Sequence, residues 1–135
     1  MSSTDFRGRF KVPIYDANVI VIVAKNAVAA YNRYAARYSH PKEEEGGFSA
    51  LSFTNGRNRF VMIFHSDKIC VEHIGHEIKH VADFIMVWIG SKPPRPRRVG
   101  KKTREILSEP ESYLTGYLHK RVYELLRKGH VKLKQ

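Results

Sequence analysis

The sequence contains one cysteine and no long apolar run, and each absence excludes a class of protein. With Cys70 alone, no intramolecular disulfide can form, which fits a reducing compartment. The apolar burst at residues 84–89 is far shorter than the roughly 20 residues of a membrane-spanning helix. Residues 2–11 are polar and charged, unlike the start of a signal peptide. We therefore expect no membrane partner and no export by a signal peptide.

Acidic residues are also scarce, and the charge balance points to anionic partners. The chain has 13 acidic and 24 basic residues, a net charge of +11 and a pI of about 10.0. Such a charge attracts nucleic acid or acidic protein surfaces, although it gives no sequence recognition.

Residues 90–104 concentrate this charge, with seven basic residues, three prolines and no acid. They predict a basic, semi-rigid loop over about residues 91–104. A solvated connector is the plainer interpretation, and non-specific contact with nucleic acid is the alternative. The residues that would make this contact are Arg95, Arg97, Arg98, Lys101 and Lys102.

The first half of the chain predicts a strand, a helix and a hairpin. Residues 18–24 are rich in Val and Ile and read as a buried strand. Residues 25–38 carry apolar side chains at spacings of three and four, which indicates an amphipathic helix. An Asn-Gly pair between β-rich runs at residues 48–53 and 59–64 is a strong hairpin signal.

The second half predicts two helices. Residues 69–89 are apolar nearly all round, which favours a helix in the middle of the fold, and Ser66 and Asp67 are its candidate N-caps. Ser108 is the candidate N-cap of a second helix, with a proline in its first turn, running to about residue 128.

These elements predict a single α+β domain over residues 1–135. We expect a small mixed sheet of about three or four strands, a backing helix, a central helix packed across the sheet and a C-terminal helix. A basic N-terminal arm at about residues 1–11 and a frayed basic tail at about residues 129–135 would flank it.

The central helix carries the motif His76-Glu77-x-x-His80. Positions i and i+4 lie one above the other on a helix, so the two imidazoles can bind one metal ion. Glu77 can then act as the general base on a metal-bound water. The alternative is a solvated helix face that happens to carry two histidines.

A catalytic zinc site usually has three protein ligands, so a third must come from elsewhere. Downstream, Glu109 and Glu111 lie at the start of the next helix and have suitable reach. His119 is in the middle of that helix and His130 is in the tail, which makes both weaker candidates.

Three further residues near the motif have plainer structural interpretations. His73 shares part of the motif face, but a surface role or a hydrogen bond to a ligand is favoured over a fourth ligand. His65 ends a strand and is expected to be structural. Cys70 lies between two apolar residues, which favours a buried thiol over a nucleophile or ligand.

The H-E-x-x-H motif followed by a glutamate on the next helix resembles the gluzincin metallopeptidases in their minimal, single-domain form. Residues 108–118 are similar to the glutamate-helix segment of small phage-encoded proteins assigned as metallopeptidases. The Asp-Phe-Ile stretch at residues 83–85 and the Val-Pro-Ile-Tyr stretch at residues 12–15 look similar too. The resemblance covers roughly residues 12–127.

The resemblance implies a minimal zincin fold, Zn²⁺ as cofactor and Glu109 rather than Glu111 as the third ligand beside His76 and His80. It implies a polypeptide substrate, cleaved by zinc-activated water with Glu77 as general base. In that family the strand at residues 47–53 would pair with an extended substrate.

The sequence departs from the gluzincin pattern four residues after Glu109. Gluzincins often have an aspartate there that holds a ligand histidine, whereas this chain has Tyr113. Asp83, one turn past His80, is the candidate substitute, with an exposed helix charge as the alternative. Tyr113 and Tyr117 are candidate oxyanion donors, and packing against the central helix is the favoured alternative for each.

Two other functions fit the same residues. The first is a metal-stabilised structural or assembly component of a phage particle, bound to virion proteins, with little or no catalysis. The second is a nucleic-acid-associated protease whose basic loop borders the cleft. In each case we expect the protein in the host cytoplasm or in the virion.

Overall fold

The computed structural model describes residues 5–38, 48–90 and 101–134, without the side chains of residues 14 and 101–111. Four strands form one sheet in the order β1-β2-β4-β3, and only the central pair is parallel. With three helices this is an α+β fold with a mixed sheet, as predicted. The strands are β1 (Phe6–Val12), β2 (Ala17–Ala24), β3 (Ala50–Thr54) and β4 (Arg59–His65), and the helices are α1 (Ala27–Tyr38), α2 (Val71–Trp88) and α3 (Lys101–Lys128).

Helices cover both faces of the sheet. Along β2, the valines face α2 and α3, whereas Ile20 and Ile22 face α1, because successive side chains of a strand point to opposite faces. The predicted hairpin is confirmed, since β3 and β4 pair antiparallel around the Asn-Gly turn. The two central strands are therefore buried on both sides and read as continuous apolar runs.

The expected basic N-terminal arm is wrong for residues 6–11, which belong to β1 (Phe6–Val12). This strand pairs with residues 17–23 of β2, and Phe10 and Val12 are buried beneath the helices. The sequence signal was a period-two alternation, with Arg7, Arg9 and Lys11 exposed between apolar residues and a glycine. By composition alone, the same basic residues also fit a charged arm.

Helix α2 begins later than predicted. Ser66 and Asp67 lie in a turn after β4, and Cys70 is the N-cap residue, with extended backbone and no capping hydrogen bond from its side chain. The turn is closed by His65, whose carbonyl oxygen accepts from the backbone N–H of Ile69 at 2.9 Å.

Helix α3 begins earlier than predicted, at Lys101, so Ser108 is inside the helix and is not its N-cap. Lysine, arginine, glutamate and leucine before Ser108 are good helix formers, which outweighs the proline signal. Every fourth residue from Leu114 to Leu126 is buried against α2 and the sheet. None of the described helices is both long and apolar enough to cross a membrane.

The expected frayed tail is also wrong over the described residues 129–134. The backbone N–H of Val131 donates to Leu126 at 3.0 Å, and that of Lys134 donates to the carbonyl of Ile69 at 2.6 Å. Val131 and Leu133 pack against the core. The tail therefore ties the end of α3 to the residues just before α2.

Candidate metal centre

Helix α2 presents His76 and His80 on one exposed face. Their Nε2 atoms are 3.0 Å apart, and their rings meet edge to face with centroids 4.5 Å apart. Two imidazole nitrogens bound about 2.0–2.1 Å from one tetrahedral zinc ion lie about 3.3–3.4 Å apart. The two nitrogens therefore already converge to within a few tenths of an ångström of the separation that one metal ion requires.

The motif face is not buried, contrary to the expectation of a helix enclosed on all sides. The side chain of His76 is 67% exposed, and His80 and Lys79 are exposed beside it. The opposite face of α2, including Ile74 and Ile78, is fully buried against the sheet and α3. Helix α2 is therefore buried on one side only, and the imidazoles on its other side are exposed to solvent.

Glu77 is buried, unlike its two histidine neighbours. The residue is 5% exposed, the only charged residue so deeply buried among those described. Its Oε1 accepts a hydrogen bond of 2.7 Å from the hydroxyl of Ser52, which also lies 3.3 Å from the Glu77 carbonyl. Its Oε2 lies 4.0 Å from Nε2 of His76. One carboxylate oxygen is thereby held by β3 while the other is turned toward the imidazole pair.

Ser52 is the residue of the site that sequence reasoning missed. Phe53 is buried on the α1 side of the sheet, so its neighbour Ser52 points to the α2 side, where Glu77 lies. The alternation along the hairpin was readable from the sequence. Which strand lies beneath the motif helix was not, because that depends on the order of strands in the sheet.

Strand β3 lies at an edge of the sheet, next to the candidate base. It pairs with β4 on one side only, as the last strand in the order β1-β2-β4-β3. The other side of an edge strand presents backbone N–H and C=O groups that can pair with a further strand. The edge that the family resemblance implies for substrate binding is therefore adjacent to Glu77.

No third ligand joins the two histidines within the described residues. In that part of the chain, no group of three or more His, Cys, Asp and Glu residues could hold a metal ion. The backbones of Glu109 and Glu111 belong to α3, but their side chains lie outside the description. Both remain predictions as ligands.

The other downstream histidines have different surroundings. The ring of His119 stacks on Tyr123, with centroids 6.3 Å apart, and its Cε1 lies 4.0 Å from where a Cβ at Gly75 would be. His130 is exposed just beyond the end of α3, at a φ of 55°. Neither makes a contact with the imidazole pair that would support a ligand role.

The two tyrosines lie in different environments. The Tyr117 hydroxyl donates to the carbonyl of Lys11 at 3.3 Å and accepts from Arg121 at 3.2 Å. Its ring meets Phe10 of β1 edge to face and packs against the core. Tyr113 is 75% exposed, which excludes the packing role expected for it. Of the two residues, Tyr113 is the more exposed.

The remaining candidates near the motif are structural or still untested. His65 holds the turn after β4, since its Nδ1 accepts from the backbone N–H of Asp67 at 3.1 Å. Cys70 is half-buried, less than expected.

Burial, with a smaller contribution from Cys70, raises the pKa of Tyr123. Asp83 is half-buried one turn past His80, and its orienting role stays a prediction.

Only part of the predicted basic loop lies within the described residues. Lys101 and Lys102 form the first turn of α3 and are not loop residues. Arg95, Arg97 and Arg98 lie outside the described residues. Contact of this segment with nucleic acid therefore remains a prediction.

Comparisons with models of known protein families, with curated proteins and with solved structures found no significant match to this chain. The assignment of the site therefore depends on the geometry of α2 and β3. Its described members are His76, His80, Glu77 and Ser52.

Proposed function

We propose that the protein is a zinc-dependent peptidase in which His76 and His80 bind Zn²⁺ and Glu77 is the general base. The observation that carries the proposal is the pair of Nε2 atoms 3.0 Å apart beside a carboxylate that is buried in the fold. The residues fit the ion, because two neutral imidazoles at this separation match two corners of a tetrahedral site. A bound zinc ion would lower the pKa of a water ligand toward about 7 and polarise the scissile carbonyl.

The environment of Glu77 suits a base better than a structural role. A buried carboxylate is expensive unless it is hydrogen-bonded, and a leucine or isoleucine would fill the same position at less cost. Ser52 holds Oε1, which leaves Oε2 on the side of His76 to accept the proton of an attacking water. The same carboxyl group can then deliver the proton to the leaving amine.

The adjacent edge of β3 provides a way to align a peptide substrate. An extended chain can add to an exposed sheet edge through backbone hydrogen bonds. Ser52 belongs to this strand, so a segment paired with β3 would run close to Glu77. Recognition through the backbone would favour extended or unfolded polypeptide over a folded protein.

The exposure of the imidazoles favours catalysis over the structural metal site considered as the first alternative. Structural zinc sites are closed by four protein ligands, whereas catalytic sites keep a position for water. His76 is 67% exposed, so the metal position would face solvent.

Glu109 and Glu111 are the two candidates for the third zinc ligand. Glu109 is favoured by the family resemblance. Glu111 is the alternative, three residues before the buried Leu114 in the sequence of α3.

Metal analysis tests the ligand set directly. We would measure zinc by elemental analysis after dialysis for the wild type and for His76→Ala, Glu109→Ala and Glu111→Ala. Glu124→Ala is the matched control, because Glu124 lies on the same helix in an ion pair with Arg121. We expect one zinc ion per chain in the wild type and in the control. We expect its loss in His76→Ala and in either Glu109→Ala or Glu111→Ala. Zinc at the wild-type level in His76→Ala would overturn the metal site.

Hydrolysis of a mixed peptide library tests the chemistry separately. Glu77→Gln should keep its zinc and lose at least about two orders of magnitude in rate, as removal of a general base does. A Glu77→Gln protein that binds zinc and cleaves as fast as the wild type would refute the mechanism. If the wild type binds zinc and hydrolyses no peptide of the library, the result would favour the structural alternative.

A further inference from the structure

A basic groove lies on the α1 side of the sheet, between β1 and α1. Its volume is about 460 Å³, and its floor includes Ile22, Ala24 and Ala30. Helix α2, which carries the candidate metal ligands, packs on the other side of the sheet. The groove is therefore separate from the candidate metal centre and has no part in the proposed hydrolysis. Its charged and aromatic lining consists of Asp5, Phe6, Arg7, Arg33, Tyr34 and Arg37.

The arginines of the groove are exposed and have no acidic partner within the described residues. Asp5 is the only acid of the lining, and its Oδ1 already accepts from the backbone N–H of Lys25 at 3.1 Å. Three arginines against one aspartate leave a net charge of +2. Arg9, two residues after Arg7 on the same face of β1, extends the positive strip along the strand.

Tyr34 holds two of these arginines in place. The guanidinium carbon of Arg7 lies 5.7 Å from the centre of the Tyr34 ring, and that of Arg37 lies 5.9 Å from it. The ring itself is fixed by Tyr38 and Phe53, with centroids 5.8 and 6.3 Å away. A guanidinium stacked on an aromatic ring keeps its N–H groups directed outward, so fewer rotamers are lost when an anion binds.

We infer that this groove binds the backbone of single-stranded nucleic acid without sequence preference. Arginine matches the geometry of phosphate oxygens through its paired N–H donors. The basic residues line a concavity, whereas duplex DNA is read by helices or ribbons that protrude into its grooves. A positively charged groove with aromatic side chains is the usual combination for a single strand.

Protection of the sheet edge is a simpler reason for part of this charge. Arginine and lysine on an edge strand prevent pairing with other chains, and β1 is an edge strand. This accounts for Arg7, Arg9 and Lys11. It does not account for Arg33 and Arg37, which come from α1 and place like charges one turn apart, an unfavourable arrangement without an anion.

Fluorescence anisotropy with a labelled, mixed-sequence single strand of about 12 nucleotides tests the inference, a length within the usual site sizes. The full-length protein would be titrated at several salt concentrations. The test variant is Arg7→Ala/Arg37→Ala, and the matched control is Arg57→Ala/Arg127→Ala, which removes the same charge from exposed positions outside the groove. Tyr34→Leu removes the ring that holds the arginines and keeps the charge.

Each phosphate contact to a single strand contributes about −0.7 to the slope of log K against log salt, so the test variant should lose about 1.4 from that slope. At about 50 mM salt its affinity should fall by roughly one to two orders of magnitude, and the control should change by much less. Tyr34→Leu should weaken binding with little change in slope.

An equal loss in the test and control variants would mean that net charge alone is responsible and would overturn the inference. Tighter binding to a duplex of the same sequence, or to vesicles rich in anionic lipid, would also overturn it. Circular dichroism on every variant separates lost binding from lost folding. The Tyr34→Leu result keeps the inference testable if the double variant fails to fold.

Discussion

The hydrogen bond between Ser52 and Glu77 predicts a specific loss of stability that requires neither zinc nor a substrate. Ser52→Ala removes the donor and leaves a carboxylate that is only 5% exposed without this partner. Hydrogen bonds to charged groups contribute about 1.5–3 kcal/mol to stability. Removing one partner, which leaves the other buried and unsatisfied, costs more than replacing both partners by apolar groups. We therefore expect Ser52→Ala to lower the free energy of unfolding by about 1.5–3 kcal/mol.

Guanidinium unfolding of the metal-free protein measures this loss, and a double-mutant cycle isolates its cause. In a Glu77→Leu background the charge is gone, so Ser52→Ala should change stability by less than about 0.5 kcal/mol. Ser66→Ala is the control, because the buried Ser66 hydroxyl has no hydrogen-bond partner within the described residues. Its removal should be neutral or slightly stabilising. An equal cost of Ser52→Ala with and without the Glu77 carboxylate would refute the reasoning.

Four further predictions concern the fold. Gly116→Ala should stabilise the protein by about 0.5–1 kcal/mol in chemical denaturation, because Gly116 is an exposed residue of α3 with open space around it. Gly129→Ala should destabilise it instead, since the added methyl group would overlap the ring of Phe6. Phe10→Ala should cost about 3–5 kcal/mol by the same measurement, and a cost near zero would contradict the burial of β1. Burial keeps Tyr123 neutral in the folded protein and raises its pKa. Its contribution to stability is therefore present below the ordinary value of about 10 and is lost as pH rises through the raised value. This alkaline loss should be absent from Tyr123→Phe in unfolding curves recorded against pH.

Local sequence patterns predict several features of the fold. The predictions are wrong where the same residues fit two patterns. Residues 59–65 and the Asn-Gly turn formed the predicted hairpin because turn geometry and alternation agree there. The prediction of a charged arm is wrong over residues 6–11 because basic residues alternate with the buried ones there, so a charged arm and an edge strand have the same composition. Ser108 has the features of an N-cap, but the helix formers before it extend α3 through that position.

The amino-acid sequence by itself determined the spacing of His76 and His80, since any α-helix over these residues stacks positions i and i+4 on one face. It also determined that a carboxylate lies between them. The tertiary structure decided what surrounds that carboxylate. Packing of α2 on the edge strand buries Glu77 and brings Ser52, 25 residues earlier in the chain, to within 2.7 Å of it. No local pattern encodes this contact, because it depends on the order of strands in the sheet and on the side of the sheet that each helix covers. The arginine groove has the same origin, since the packing of both β1 and α1 against β2 brings these two elements together.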